Sequence, residues 1–145
     1  MHTYDQDTAI DLMDAQADMF RLLPLKLDGV DIFHFITMWL NSDSRAALDD
    51  GSPKLLYKSG GELLSWFINQ DMGNEYRQSI QSYDYDPHVL HWVGLIYQLY
   101  CYKEKISSAE LVKQLPPETL YSMYYPWHEL SDLGAVKRIK EYIYS

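Results

Sequence analysis

The sequence DPHVLHWVGLIYQLYCYKEK, residues 86–105, predicts the helix around which the rest of this chain is arranged. Asp86 can cap the first turn with its carboxylate, and Pro87 stands at the first helical position, where a proline loses no hydrogen bond. Most of the circumference is apolar, which is typical of a helix buried among others, although His91 and Gln98 make it too polar for a membrane span. The apolar residues recur at helical spacing on two neighbouring lines: Val89, Val93, Ile96 and Tyr100, and Leu90, Gly94, Tyr97 and Cys101.

Two small residues of this helix carry predictions of their own. Gly94 costs about 1 kcal/mol relative to alanine inside a helix, so we expect a neighbouring element to approach it closely. Cys101 is the only cysteine of the sequence and lies on an apolar line of the helix. A thiol in such surroundings stays protonated and unreactive. A single cysteine also excludes an internal disulfide and fits a reducing compartment.

The rest of the chain supplies further helical segments. A first helix is predicted over residues 5–23, ended by Pro24, and a second over 30–41, capped by Asp28 or Asp31. The apolar line of the first helix runs through Ile10, Met13, Ala17 and Phe20. Shorter helices are expected to follow Ser42, Gly61, Ser107 or Ser108, Pro117 and Ser131.

The connections between these segments are short. Ser59-Gly60-Gly61 predicts a tight turn, and residues 71–85 predict a loop with one helical turn at 75–80. No internal repeat interrupts the 145 residues, a length that supports one hydrophobic core. The sequence therefore predicts a single all-α domain over 1–145, a compact bundle of six to eight helices around the buried helix at about 86–105.

The charge of the chain restricts its partners. The formal net charge is −9 and the chain lacks the basic footprint of a nucleic-acid-binding protein, so no nucleic-acid partner is expected. The first fourteen residues have neither the basic region nor the apolar run of a signal peptide, and no segment predicts a membrane span. We therefore expect a cytoplasmic protein that does not associate with a membrane.

Four aspartates of the first helix lie on one line of its surface: Asp7, Asp11, Asp14 and Asp18. Like charges at this spacing repel each other by a few tenths of a kcal/mol per pair. One interpretation is a solvated helix face with no further role. The other is an acidic ridge that binds a basic partner protein.

Aromatic residues are the second compositional feature. The sequence contains thirteen tyrosines and four tryptophans. Such rings can fill a helical core while their polar atoms reach water, or they can anchor a protein interface. We regard the following five residues as candidate partner-binding residues together with the four aspartates: Tyr121, Tyr124, Tyr125, Trp127 and His128.

The sequence offers little for catalysis. It has no GxSxG nucleophile motif and no HExxH zinc motif. The nearest approach to a metal site is His88-x-x-His91, whose two imidazoles share a helix face, with Asp84 just upstream. A distant ligand such as His128 would be needed to complete it. We therefore expect no cofactor and no catalytic residue.

Part of the chain resembles a known group of proteins. The pattern W-V-G-L-I-Y, then S-S-A-E-L, then a tyrosine-rich turn into W-H, within Leu90–Leu130, is similar to small uncharacterised all-helical bacterial proteins. Members of that group are encoded beside toxin-like genes, some of them resembling ADP-ribosyltransferases, in antitoxin-like arrangements. The resemblance implies a toxin-like partner and transfers no catalytic residues. The residues that carry it are Trp92, Gly94, Tyr97, Ser108, Glu110 and His128.

These observations favour a non-enzymatic protein-binding module. In this hypothesis the chain is an antitoxin-like or regulatory partner whose acidic first helix occludes a basic site on another bacterial protein, while aromatic residues anchor the contact. One alternative is a small metal- or ligand-dependent enzyme that uses His88, His91 and His128. A second alternative is a structural homo-oligomer in which the tyrosine-rich face of one copy meets another.

Overall fold

The computed structural model describes residues 5–26, 31–72 and 85–145, and the regular secondary structure of these residues is entirely helical. No β-strand occurs in these residues, so the all-α prediction is confirmed. A π-helical turn, Ile68–Met72, continues the fourth helix. The loop predicted over residues 71–85 begins inside this turn, and its residues 73–84, like the possible cap at Asp28, lie outside the described residues. The nine α-helices of the described part are α1 Gln6–Lys26, α2 Ile32–Leu40, α3 Asp43–Asp49, α4 Gly60–Phe67, α5 Pro87–Glu104, α6 Ser108–Gln114, α7 Pro117–Ser122, α8 Tyr124–Trp127 and α9 Asp132–Ile143.

Helix α5 is the predicted central helix. The Asp86 carboxylate accepts a hydrogen bond of 2.9 Å from the His88 backbone N–H, and Pro87 occupies the first helical position. The helix ends at Lys105, which adopts a left-handed conformation with φ 58°. Both lines of apolar residues recognised in the sequence are buried, so the prediction of a buried central helix is confirmed. None of the helices in the described part of the chain is long and apolar enough to cross a membrane.

Helix α1 packs along α5 in the antiparallel direction, because its first turns contact the end of α5 and its middle contacts Gly94. A Cβ atom added to Gly94 would lie 2.8 Å from the Gln16 carbonyl oxygen and 3.0 Å from the Ala17 Cα. Real Cβ atoms do not approach backbone atoms so closely without a shift of the chain. The close approach predicted for Gly94 is therefore confirmed.

A second glycine brings α4 equally close to α1. A Cβ atom at Gly60 would lie 2.5 Å from the Met19 backbone nitrogen and 2.8 Å from the Ala15 carbonyl oxygen. Gly60 and Gly61 are the first residues of α4, so the prediction of a tight turn there was wrong. The residue that caps the start of α4 is Ser59, whose hydroxyl and backbone N–H form a capping box with Glu62.

The end and the rotation of α1 differ from the prediction. Pro24 lies inside the helix, which continues to Lys26, because a proline removes one hydrogen-bond donor but leaves the following N–H groups able to bond. Ile10, which we placed on the buried line, is 44% exposed. The core side of α1 instead includes the polar residue Gln16. The buried residues of α1 are Ala9, Leu12, Gln16, Ala17, Met19, Phe20 and Leu23.

Gln16 is buried because it belongs to a polar network around Arg45 of α3, whose side chain is fully inaccessible. The Arg45 guanidinium donates from Nε to Gln16 Oε1 at 2.9 Å and from Nη1 to Asp49 Oδ1 at 2.8 Å, and Nη2 donates to Gln98 Oε1. The Trp39 indole N–H also donates to Gln16 Oε1, at 3.0 Å. Gln16 Nε2 in turn donates to the Gly94 carbonyl oxygen at 2.8 Å. The network thus joins α1, α2, α3 and α5.

Every buried polar side-chain atom in the described residues has a hydrogen-bond partner. These hydrogen bonds are important for stability, because removal of one member of a buried charge network leaves the others desolvated and unpaired.

Replacement of Arg45 by Met should therefore lower the free energy of unfolding by about 3–5 kcal/mol, because Asp49 loses its guanidinium in a buried site. Urea denaturation measures the change. The matched control is Arg138→Met, at an arginine that is 59% exposed and 3.7 Å from Glu141, which should leave the free energy of unfolding nearly unchanged. Equal effects of the two substitutions would contradict the structural role of the network.

Adjacent glycines provide a second test. Gly60→Ala should lower the free energy of unfolding by about 1–3 kcal/mol, because the new methyl group overlaps the α1 backbone. Gly61→Ala should raise it by about 0.5–1 kcal/mol, because the added Cβ meets only the Leu22 Cδ1 atom, at 3.8 Å, and alanine favours the helix. Thermal denaturation of both variants measures the difference, and a destabilised Gly61→Ala variant would refute the assigned packing.

Candidate functional site

The acidic face of α1 consists of Asp7, Asp11, Asp14 and Asp18, and all four side chains are exposed. Asp18 Oδ1 lies 3.6 Å from Arg21 Nε and 3.6 Å from His91 Nε2. None of the described basic side chains pairs with Asp7, Asp11 or Asp14. Three carboxylates of this face are therefore available to a cationic partner.

Two of the predicted aromatic residues contribute to the fold. The Tyr121 hydroxyl accepts a hydrogen bond of 2.9 Å from the Asp86 backbone N–H, beside the cap of α5. The Tyr121 ring also packs edge-on against Phe33 and Tyr85, with ring centroids 5.3 Å and 6.2 Å away. Trp127 is half-buried against the hydrophobic core. The Tyr121 contacts hold α7 against the start of α5, and Trp127 packs α8 against the core.

The other three aromatic candidates form a cluster at the surface around the half-buried Tyr124, with the buried Trp92 packed beneath it. His128 stacks on the Tyr124 ring with centroids 4.3 Å apart and an interplanar angle of 13°, and Trp92 and Tyr125 pack against it edge-on at 5.6 Å and 5.5 Å. The His128 Nδ1–H donates to the Tyr124 carbonyl oxygen at 2.8 Å, since a carbonyl can only accept. Tyr125 is 68% exposed, so its ring is free to contact another molecule. We call Trp92, Tyr124, Tyr125 and His128 the aromatic cluster.

A partly exposed strip of α5, formed by His91, Leu95 and Leu99, lies beside the acidic face and next to the aromatic cluster. His91 meets Asp18 of α1 on one flank of the strip, while the next residue, Trp92, meets Tyr124 of α8 on the other. Leu95 and Leu99 follow His91 at intervals of four residues, so they lie on the same side of α5 and remain partly exposed. The acidic face and the aromatic cluster, which are separated by about 100 residues in sequence, thus both adjoin the same part of α5.

A small cavity opens between the first turns of α1 and the last turns of α5. Its volume is about 50 Å³. Apolar side chains supply most of its wall, and the Gln98 side chain connects it to the buried Arg45 network. Sequence periodicity did not reveal this cavity, because Ile10 and Met13 were placed in the core. The lining residues are Gln6, Ala9, Ile10, Met13, Gln98, Leu99, Tyr102 and Lys103.

A wider depression of about 540 Å³ lies beside the start of α4. Its wall includes Trp66, over whose ring the Lys58 ammonium lies at 5.4 Å. The Glu62 carboxylate occupies the N-terminus of α4 through the capping box, so this end of the helix already carries an anion. The depression therefore offers a weaker candidate binding site than the acidic face and the aromatic cluster.

The three histidines considered as metal ligands do not come together in the structure. No group of three His, Cys, Asp or Glu side chains within residues 5–26, 31–72 and 85–145 could hold a metal ion. His88 is exposed, His91 faces Asp18 and His128 stacks on Tyr124. Asp84, the proposed carboxylate ligand, lies outside the described residues.

Cys101 is buried in the core, with Sγ 3.7 Å from the Ser108 hydroxyl oxygen. Burial raises the pKa of the Cys101 thiol to about 11, because the thiolate loses its hydration, although the nearby Arg45 guanidinium acts in the opposite direction. The thiol is therefore protonated at neutral pH and enclosed by the core, which makes it unsuitable as a nucleophile.

Comparisons with protein-family models, with curated proteins and with solved structures found no match to this chain.

The environment of Cys101 predicts its reactivity. With a pKa of about 11, about one thiol in a thousand is ionised at pH 8, so native protein should react with iodoacetamide at least about 100-fold more slowly than protein unfolded in urea. The thiolate fraction rises with pH, but burial should keep native labelling slow at pH 10 as well. Mass spectrometry measures the labelled fraction. Rapid labelling of the native chain at pH 8 would show that Cys101 is accessible.

Proposed function

We propose that this chain is a protein-binding module, an antitoxin-like or regulatory partner that occludes a basic site on another bacterial protein in the cytoplasm. The observation that carries this proposal is that consecutive residues of α5, His91 and Trp92, contact the acidic face of α1 and the rest of the aromatic cluster. In these contacts, His91 Nε2 lies 3.6 Å from Asp18 Oδ1, and the rings of Trp92 and Tyr124 are 5.6 Å apart. One flank carries rings, which are enriched at protein interfaces, and the other carries negative charge, which suits the polar rim of an interface with a basic partner.

The carboxylates and the rings would have different roles. Exposed carboxylates are well hydrated, so each contributes little to the equilibrium affinity. Together they create a negative potential that attracts a basic protein and speeds the encounter. Tyr125 and the strip of α5 then lose water against the partner, which slows dissociation. A chain bound in this way over a cationic active site or a cationic docking site would exclude its substrate by occlusion.

Neutralising the acidic face tests the electrostatic part of the proposal. The quadruple variant Asp7→Asn, Asp11→Asn, Asp14→Asn and Asp18→Asn should remain helical, because it relieves repulsion between like charges on α1. In pull-downs from the native host read by mass spectrometry, wild-type protein should recover one basic protein in stoichiometric amount, and the variant should lose it. Association of the purified pair at low salt should be about tenfold slower for the variant and should depend less on salt.

A charge-matched control separates this face from net charge. Asp43→Asn, Glu118→Gln, Glu129→Gln and Asp132→Asn remove four exposed carboxylates outside α1 and change the net charge of −9 by the same amount. This control should recover the basic protein as wild-type does. The proposal fails if both quadruple variants bind alike, or if no basic protein is recovered at low salt. Suppression of the captured protein's activity by added chain would support occlusion specifically.

A further inference from the structure

The cavity between α1 and α5 adjoins the acidic face at Ile10. This residue forms part of the cavity wall and is 44% exposed. It follows Asp7 by three residues and precedes Asp14 by four, so both carboxylates are its neighbours on the helix surface. Neither carboxylate pairs with a described basic side chain. The apolar cavity and two available carboxylates therefore form one local site.

We infer that this cavity receives an aliphatic side chain from a basic, amphipathic helix of the partner, whose Lys or Arg residues contact Asp7 and Asp14. The inference rests on the proposed function and specifies the chemistry of the partner segment. A volume of about 50 Å³ exceeds the space that one water molecule needs and has room for the branched end of a leucine or valine.

The form of the surface favours a helix as the occupant. Asp7, Ile10 and Asp14 follow one another on α1 at intervals of three and four residues, and Leu95 precedes Leu99 of the cavity wall by four residues on α5. Amphipathic helices bind apolar sites with residues that recur every three or four positions. The spacing of the acidic and apolar residues around the cavity therefore suits a helix that carries both basic and apolar residues.

Charge fixes which side of the occupant faces α1. Asp7 and Asp14 lie on the α1 side of the cavity, whereas the Lys103 ammonium lies on the α5 side. Cationic residues of the partner helix would be attracted to the α1 side and repelled from Lys103. The carboxylates also disfavour an anionic ligand, such as a nucleic acid or an acidic membrane, at this position.

A defined peptide probe tests the inference without prior identification of the partner. The probe is a synthetic amphipathic helix of leucine and lysine, and its matched control carries serine in place of each leucine at the same charge. We expect the leucine peptide to bind about tenfold more tightly than the serine peptide in fluorescence anisotropy titrations. Methyl resonances of Ile10, Met13 and Leu99 should shift in NMR spectra when the leucine peptide is added.

Variants of the full chain show whether the leucine peptide contacts the cavity. Ile10→Ser should weaken binding of the leucine peptide about tenfold, and Ile10→Ala should weaken it in the same direction. Leu25→Ser is the matched control, since Leu25 lies on the same helix, is 63% exposed and is remote from the cavity. This control should bind like wild-type protein. Because Ile10 is already half outside the core, circular dichroism should show unchanged helix content in all three variants.

Several outcomes would overturn the inference. Equal binding of the two peptides, no binding of the leucine peptide, or unchanged binding by both Ile10 variants would each exclude the cavity as an aliphatic anchor site. The proposed function would stand in that case if the four asparagine substitutions on α1 still abolished capture of the basic protein. A solution mass of two chains, with Ile10 protected in the absence of peptide, would assign the cavity to a second copy instead.

Discussion

The side chain of Gln16 is the hub on which the arrangement of the helices depends. Its carbonyl oxygen accepts from the Arg45 guanidinium and the Trp39 indole, and its amide nitrogen donates to the Gly94 carbonyl. These bonds form in a site with no access to water, where an unmade hydrogen bond is costly. Gln16 therefore fixes the rotation of α1 about its own axis relative to α2, α3 and α5.

The rotation of α1 determines which of its side chains are exposed. With Gln16 directed inward and the Gly94 and Gly60 crossings holding the α1 backbone against α5 and α4, the four aspartates must face water. The same rotation moves Ile10 out of the core to the wall of the cavity between α1 and α5. A polar contact in the core thus places both the acidic face and the apolar cavity on the surface that we propose for partner binding.

Much of the fold could be predicted because helix boundaries depend on local contacts. The carboxylate of Asp86 and the hydroxyls of Ser42 and Ser131 cap their helices through backbone N–H groups two or three residues away, as the sequence indicated. The exposure of the acidic face also followed from its spacing. The prediction was wrong at Pro24, because a proline near the end of a helix can be tolerated, and at Gly60, because its role is contact with α1.

The sequence by itself determined the helical class, the central helix and the separate existence of an acidic line and an aromatic segment, because these features follow from periodicity and capping within a few residues. Only the tertiary structure decided that these two features adjoin the same part of α5 and that Ile10 and Leu99 enclose a cavity. The deciding contacts join distant residues, such as Gln16 with Gly94, 78 positions apart, and Arg45 with Gln98, 53 positions apart. Local patterns carry no information on such pairs, because the pairs form only when whole helices pack.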